Sequence, residues 1–218
     1  MEKASAMLAV LACLLAAFVA PFASADDTAA DAAQLPDHIV NGDFEYHSDI
    51  TGNSWGWAAV IPTTGENLSG RWQAGPSDWD ETKFGWHSTQ NCDDGGECRT
   101  DAVELQQFWT SNAWAEIVDA QADTSIYQDI RVTPGNTYHW SLKHQSVTSG
   151  YVDRMQMLIG EPSKETPQQA MRTKANGGTD KIGDVGTDIA TTNISDDRAR
   201  NWETYEGDWT CPEGMTVV

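Results

Sequence analysis

The sequence predicts an all-β fold, an antiparallel β-sandwich, and three observations support this prediction. Short segments of alternating apolar and polar residues are separated by Gly, Asn, Asp and Pro, while helical periodicity is almost absent. All ten Trp residues lie after residue 25, which excludes disorder for most of that part of the chain. An N-terminal leader indicates export, and many short strands in an exported chain favour a sandwich.

Residues 1–25 are predicted to be a signal peptide. Lys3 supplies a positive charge, residues 7–21 are apolar, and Ala23-Ser24-Ala25 is the small-x-small pattern that signal peptidase recognises. The apolar run is too short for a good transmembrane span, so a retained N-terminal anchor is the weaker alternative. We expect the mature chain to be secreted, with no membrane insertion after cleavage.

The chain is strongly acidic. Asp and Glu outnumber Lys and Arg by 33 to 13, which gives a formal net charge of −20. Nucleic acids and anionic lipid surfaces bind clustered cations, so neither is an expected partner. The charge is compatible with cation binding, or with a surface kept soluble by self-repulsion.

The sandwich domain is predicted over residues 37–218, after a solvated linker at residues 26–36. Strand patterns occur within it at five segments: residues 114–120, 124–132, 138–142, 153–160 and 202–209.

Two connections between these segments differ in character. Thr133-Pro134-Gly135-Asn136 has the composition of a tight turn, which predicts an antiparallel hairpin between residues 124–132 and 138–142. Between residues 161 and 200 the apolar pattern is lost. We expect a polar insertion there rather than a second domain, with one short helix over residues 168–174.

The cysteines indicate one local disulfide. Cys92 and Cys98 flank Gly95-Gly96, which can supply the positive φ of a tight turn, so the two sulfurs are expected to bond. A metal loop built from the acidic residues between them is the minor alternative. Cys211 has no obvious partner and is expected to be a free thiol.

Two motifs resemble the galactose-binding-like jelly rolls of extracellular carbohydrate-binding modules: Asn41-Gly42-Asp43-Phe44-Glu45, and the segment from Ser125 to Tyr138. In that family the first motif is the opening strand of the sandwich and the second forms a central hairpin. Further elements are similar to domains in large cell-surface proteins of Gram-positive bacteria: Gly85–Thr89, Val103–Leu105, Ala115–Ile117, His144 and Asp153–Gln156.

The resemblance also implies what the C-terminus lacks. The family's sandwich continues with a further strand after a turn of the type seen at Pro212–Val217, and here one residue follows. The expectation is a jelly roll without its last strand, in a chain that is the front end of a longer protein or of a truncated gene.

Exposed aromatic side chains are the first candidate ligand-binding residues, because sugars stack on them. Trp55 and Trp57 lie in a Gly-rich segment that is expected to be a loop, and Trp86 has polar neighbours. The alternative for each Trp is packing in the core.

Polar residues on the faces opposite the aliphatic ones are the second set: His87, Glu104, Glu116, His144 and Asp153. If they share a face they could line a polar groove, and the resemblance supports this grouping. The alternatives are an ordinary solvated sheet face, or a glycosidase in which Glu104 and Glu116 are the paired carboxylates.

The resemblance further implies a structural Ca²⁺ near the first strand, which corresponds to Asp43 and Glu45. Hard oxygen ligands suit this ion, although the family's third carboxylate comes from the missing last strand.

The expected function is a secreted or surface-displayed, non-catalytic glycan-binding or adhesin module. Its partner would be an extracellular glycan or host surface, and the chain would be a monomeric module of a longer protein. The alternatives are a structural spacer domain of a surface protein and the ancillary module of a secreted glycoside hydrolase.

Overall fold

The computed structural model describes residues 34–47, 55–67, 78–90, 100–108, 112–117, 124–145, 152–174, 177–182, 189–192 and 202–218. In chain order their elements are β1 (Trp55–Ile61), β2 (Glu66–Asn67), α1 (Glu81–Phe84), β3 (His87–Ser88), β4 (Val103–Phe108), β5 (Ala113–Glu116), β6 (Ile126–Tyr127), β7 (Thr137–His144), β8 (Val152–Met155), β9 (Leu158–Ile159), β10 (Thr166–Pro167), β11 (Ala170–Thr173), β12 (Thr179–Ile182), β13 (Ile189–Thr192) and β14 (Glu203–Thr210). The described part is therefore all-β, and its strand pairs are antiparallel. The predicted fold class is confirmed at this level.

The first sheet has the strand order β2-β1-β4-β5. Alternate residues of β1 and β4 form one apolar face, and Phe84 of α1 packs against it: the buried cluster consists of Ala58, Val60, Phe84, Val103 and Leu105. Burying each of the larger side chains stabilises the fold by roughly 1.5–3 kcal/mol. This face is the core of the first sheet, and the opposite face carries the polar residues of β4 and β5.

The second sheet has the strand order β12-β11-β14-β7. Its apolar face is formed by Trp140, Ala170 and Tyr205, and Met155, Met157 and Ile159 pack against them. The sequence pattern predicted that these last three residues share a face, and the packing confirms it. Strands β8 and β9 replace the single strand that was expected over residues 153–160.

The expected hairpin between residues 124–132 and 138–142 is wrong. The turn itself is present, since the Asn136 amide donates to the Thr133 carbonyl over 3.2 Å and Gly135 has a φ of 77°. However, β6 pairs with β3 while β7 pairs with β14. Residues 130 and 132 bond instead to residues 218 and 216, so the turn connects two separate sets of partners.

Two other local expectations are also wrong. Residues 168–174 contain strand β11 rather than a helix, because Ala170 and Arg172 face inward while Met171 is exposed, a period of two. The segment expected as a polar insertion thus supplies β11 and β12 to the second sheet.

The Asn41–Glu45 motif is not a strand: residues 41–43 form a turn, in which Asn41 has a φ of 50°.

The C-terminal residues begin an antiparallel pairing. Val217 forms a bridge with Arg131, and the amide and carbonyl of Val218 bond to Ile130. The described part of the chain contains no helix that is long and apolar enough to cross a membrane. The signal peptide and almost all of the linker lie outside the described residues.

Candidate functional site

The polar face of the first sheet carries two adjacent cross-strand rows, and we call it the carboxylate face. One row consists of Ala59, Glu104 and Glu116, and the other of Trp57, Gln106 and Trp114. Glu104 and Glu116 were predicted to face away from their aliphatic neighbours. The register confirms this and makes them direct partners on β4 and β5.

Burial on the carboxylate face perturbs Glu104. Partial removal from water, as the larger cause, and the charge of Glu116 together raise the pKa of Glu104 to about 7. The Gln106 amide donates to Glu104 Oε1 over 3.4 Å, and Gln106 and Ala59 are only 6% and 8% exposed. Glu104 therefore keeps its proton to a much higher pH than an ordinary carboxyl group does.

Aromatic residues flank the two carboxyl groups. Trp114 of β5 lies edge-on to Trp202, with ring centroids 6.2 Å apart, so β5 contacts the residue that precedes β14. Trp55 and Trp57 were expected in a loop, but they belong to β1. Their side chains lie outside the described part, and the register alone places Trp57 in the row of Gln106 and Trp114.

Trp86 lies on the other side of the first sheet. It packs against the apolar cluster, stacks on Phe44 at 5.0 Å, and donates its indole N–H to the Asn41 carbonyl over 2.9 Å. These contacts match the alternative of core packing. The sheet therefore separates Trp86 from Glu104 and Glu116.

His87 belongs to a second polar group that the sequence did not reveal. Its Nδ1 lies 2.8 Å from Asp101 Oδ2, while Asp101 Oδ1 accepts the Ser88 amide over 2.8 Å. Tyr127, its partner on β6, lies 5.7 Å away between ring centroids. Partial burial, followed by the charges of Asp101 and Asp129, raises the pKa of Tyr127.

His144 and Asp153 belong to other strand pairs. His144 on β7 stands opposite Glu203 and places its ring edge-on to Tyr205 at 6.3 Å. Asp153 pairs with Thr191 of β13, and its side chain lies outside the described part. Of the predicted polar set, the described contacts bring only Glu104 and Glu116 together.

The second sheet contains a buried ion pair that sequence patterns did not indicate. Arg172 Nη1 lies 3.4 Å from Glu203 Oε2, and the side chains are 15% and 10% exposed. The Tyr205 hydroxyl donates to the same oxygen over 3.3 Å. Burial, as the largest cause, raises the pKa of Tyr205 to about 12, so this hydroxyl keeps its proton.

The expected calcium ligands are exposed and make local hydrogen bonds. Asp43 Oδ1 accepts the Glu45 amide over 3.3 Å, and Glu45 Oε1 accepts the Ala113 amide over 2.9 Å. Among the described residues no cluster of three or more His, Cys, Asp or Glu could hold a metal ion. The second oxygen of each carboxylate is not used in these two hydrogen bonds, so Asp43 and Glu45 could supply some of the oxygen ligands that Ca²⁺ needs.

Of the three cysteines after the leader, only Cys211 is described. It is a free, buried thiol that donates to the Met215 carbonyl over 3.4 Å, and burial raises its pKa. Cys92 and Cys98 lie outside the described residues, so their disulfide stays a prediction.

The sequence matches no protein-family model, and comparisons with curated proteins and with solved structures give no similar protein.

Proposed function

We propose that this chain is a secreted or surface-displayed glycan-binding module without catalytic activity, built on a galactose-binding-like jelly roll. The observation that carries the proposal is the carboxylate face, where an aromatic and amide row lies beside a row of two carboxyl groups. Two four-stranded antiparallel sheets, joined at Trp114 and Trp202, support the sandwich architecture.

A sugar would use the β5 side of this face. Ala59 and Gln106 nearer the middle of the sheet are buried, whereas Trp114 and Glu116 are partly exposed. The Trp114 ring offers an apolar surface for one face of a pyranose, and Glu116 accepts hydrogen bonds from hydroxyl groups. Glu104 in its protonated form can also donate one. Such an open site predicts weak binding, with dissociation constants on the order of micromolar to millimolar.

One observation favours a glycoside hydrolase as the second candidate. Glu104 and Glu116 are direct cross-strand partners, with Cβ atoms about 5 Å apart in such pairs, so their carboxyl groups can reach the separation of roughly 5–5.5 Å that retaining glycosidases need. A Glu104 that keeps a proton near neutral pH would act as the acid, with ionised Glu116 as the nucleophile.

Glycan arrays followed by calorimetry test the proposal. We expect Trp114→Ala to weaken binding by a factor of about 2 to 13, because stacking contributes roughly 0.5–1.5 kcal/mol. Trp114→Phe should retain most of the affinity. Tyr127→Ala, which removes an exposed aromatic ring outside the carboxylate face, should leave it unchanged.

The same samples distinguish the alternatives. Release of products that Glu104→Gln abolishes would replace the proposal with the hydrolase. Absence of binding to every glycan at millimolar concentration would favour a spacer domain.

Calcium at Asp43 and Glu45 is proposed as a structural feature of the same module. If the ion binds only the folded chain, millimolar CaCl₂ should raise the melting temperature above that in EDTA, by mass action. Asp43→Asn should abolish the shift. The exposed Asp208→Asn, on the second sheet, is the control and should preserve it. Equal melting temperatures in CaCl₂ and EDTA would refute the metal site.

A further inference from the structure

Glu104 and Glu116 lie opposite each other where the attachment of an edge strand ends. Strand β5 is at the edge of the first sheet and pairs with β4 over only four residues, from Ala113 to Glu116. Like charges directly opposite each other in an antiparallel pair are destabilising. The ionisation of this pair therefore acts on a short contact, of four residue pairs, that holds an edge strand to the sheet.

The surroundings of Glu104 strengthen the repulsion between the two ionised carboxyl groups. On the β1 side its row neighbour is Ala59, which carries no charge, and along its own strand Gln106 donates to it. The charged group that faces it from β5 is Glu116. Both Ala59 and Gln106 are more than nine-tenths buried, so water screens little of the repulsion from that side.

We propose that Glu104 and Glu116 form a pH switch: a proton on Glu104 lets the two side chains lie opposite each other and keeps β5 paired with β4, and loss of that proton loosens the strand. The switch needs no ligand, so it goes beyond the proposed function. It would nevertheless regulate the face from which Trp114 and Glu116 project.

The direction of the pH dependence follows from the ionisation of Glu104. Its pKa in the folded chain, about 7, is above the ordinary value of 4.5, so folding favours the protonated form. The stabilising effect is complete below pH 4.5 and is lost as the pH rises through about 7. Strand β5 is thus held most firmly in mild acid.

Hydrogen exchange of the folded chain tests the switch. Protection factors of the β5 amides, corrected for intrinsic exchange, should fall about tenfold between pH 5 and pH 7.5. The full pKa shift of Glu104 would give a larger fall, but this side chain is partly solvated and the expected effect is therefore reduced. In Glu104→Gln, which removes the titrating group, protection at pH 7.5 should stay near its value at pH 5. In Glu116→Gln the fall should be smaller than in the unmodified chain but not absent, because burial alone still raises the pKa of Glu104. Glu213→Gln, an exposed residue, should behave like the unmodified chain.

A second measurement follows the carboxyl group itself. The side-chain ¹³C resonance of Glu104 should titrate with a midpoint near pH 7, and Glu116→Gln should lower that midpoint. Either of two results would overturn the proposal: a midpoint below about 5.5, or the same pH-dependent loss of β5 protection in Glu104→Gln as in the unmodified chain.

Discussion

Gly207→Ala should lower the free energy of unfolding by about 1–3 kcal/mol, the range for overpacking a filled site. Gly207 lies opposite Trp140 in the register of β14 and β7. A Cβ atom there would lie 2.6 Å from the Gln169 carbonyl oxygen and 2.7 Å from Cζ2 of Trp140. Neither the Gln169 backbone, directly before β11, nor the buried indole can move without cost, so the second sheet must shift.

Urea denaturation of Gly207→Ala and of the unmodified chain measures this loss of unfolding free energy. Gly42→Ala is the matched control, because a Cβ atom at Gly42 meets only Cγ2 of Ile39, at 3.5 Å, and Gly42 has an ordinary φ. We expect the control to stay within about 0.5 kcal/mol of the unmodified chain. Equal stability of both variants would show that the indole does not lie on Gly207 in solution.

Gly207 also illustrates which parts of the fold were predictable. The alternation of Tyr138, Trp140 and Leu142 and the strand character of residues 202–209 were read correctly, because side-chain periodicity is a local property. That β7 and β14 pair with each other was not predicted. Strand pairing over such a separation depends on which surfaces fit together, and the short turn at residues 133–136 favoured a hairpin instead.

The candidate site, like the fold, was predictable only in part. Alternation placed Glu104 and Glu116 on the face opposite the aliphatic residues, and the register made them partners. Alternation says nothing about which sheet a strand joins, so His144 and Asp153 were grouped with them although they belong to other strand pairs. The contacts of Trp86 could not be read from the sequence, because its indole N–H bonds to a turn carbonyl that only the folded chain brings near.

Arg172→Met should destabilise the fold by about 3–5 kcal/mol, because it leaves a buried carboxylate without its cation. Glu203 is 10% exposed and would keep only the Tyr205 hydroxyl among the contacts described above. Met fills much of the volume of the Arg stem, so the loss reports the charge rather than a cavity.

The double variant Arg172→Met, Glu203→Leu separates the unpaired charge from the pair itself. Replacing a buried ion pair by apolar residues of similar size is often neutral or stabilising, so the double variant should recover most of the loss in chemical denaturation. Lys143→Met, which removes an exposed cation from the same sheet, should change stability by less than about 0.5 kcal/mol. If Arg172→Met lowered the free energy of unfolding by no more than Lys143→Met does, Glu203 would have to be solvated in the folded chain. The ion pair would then contribute no more than a surface pair.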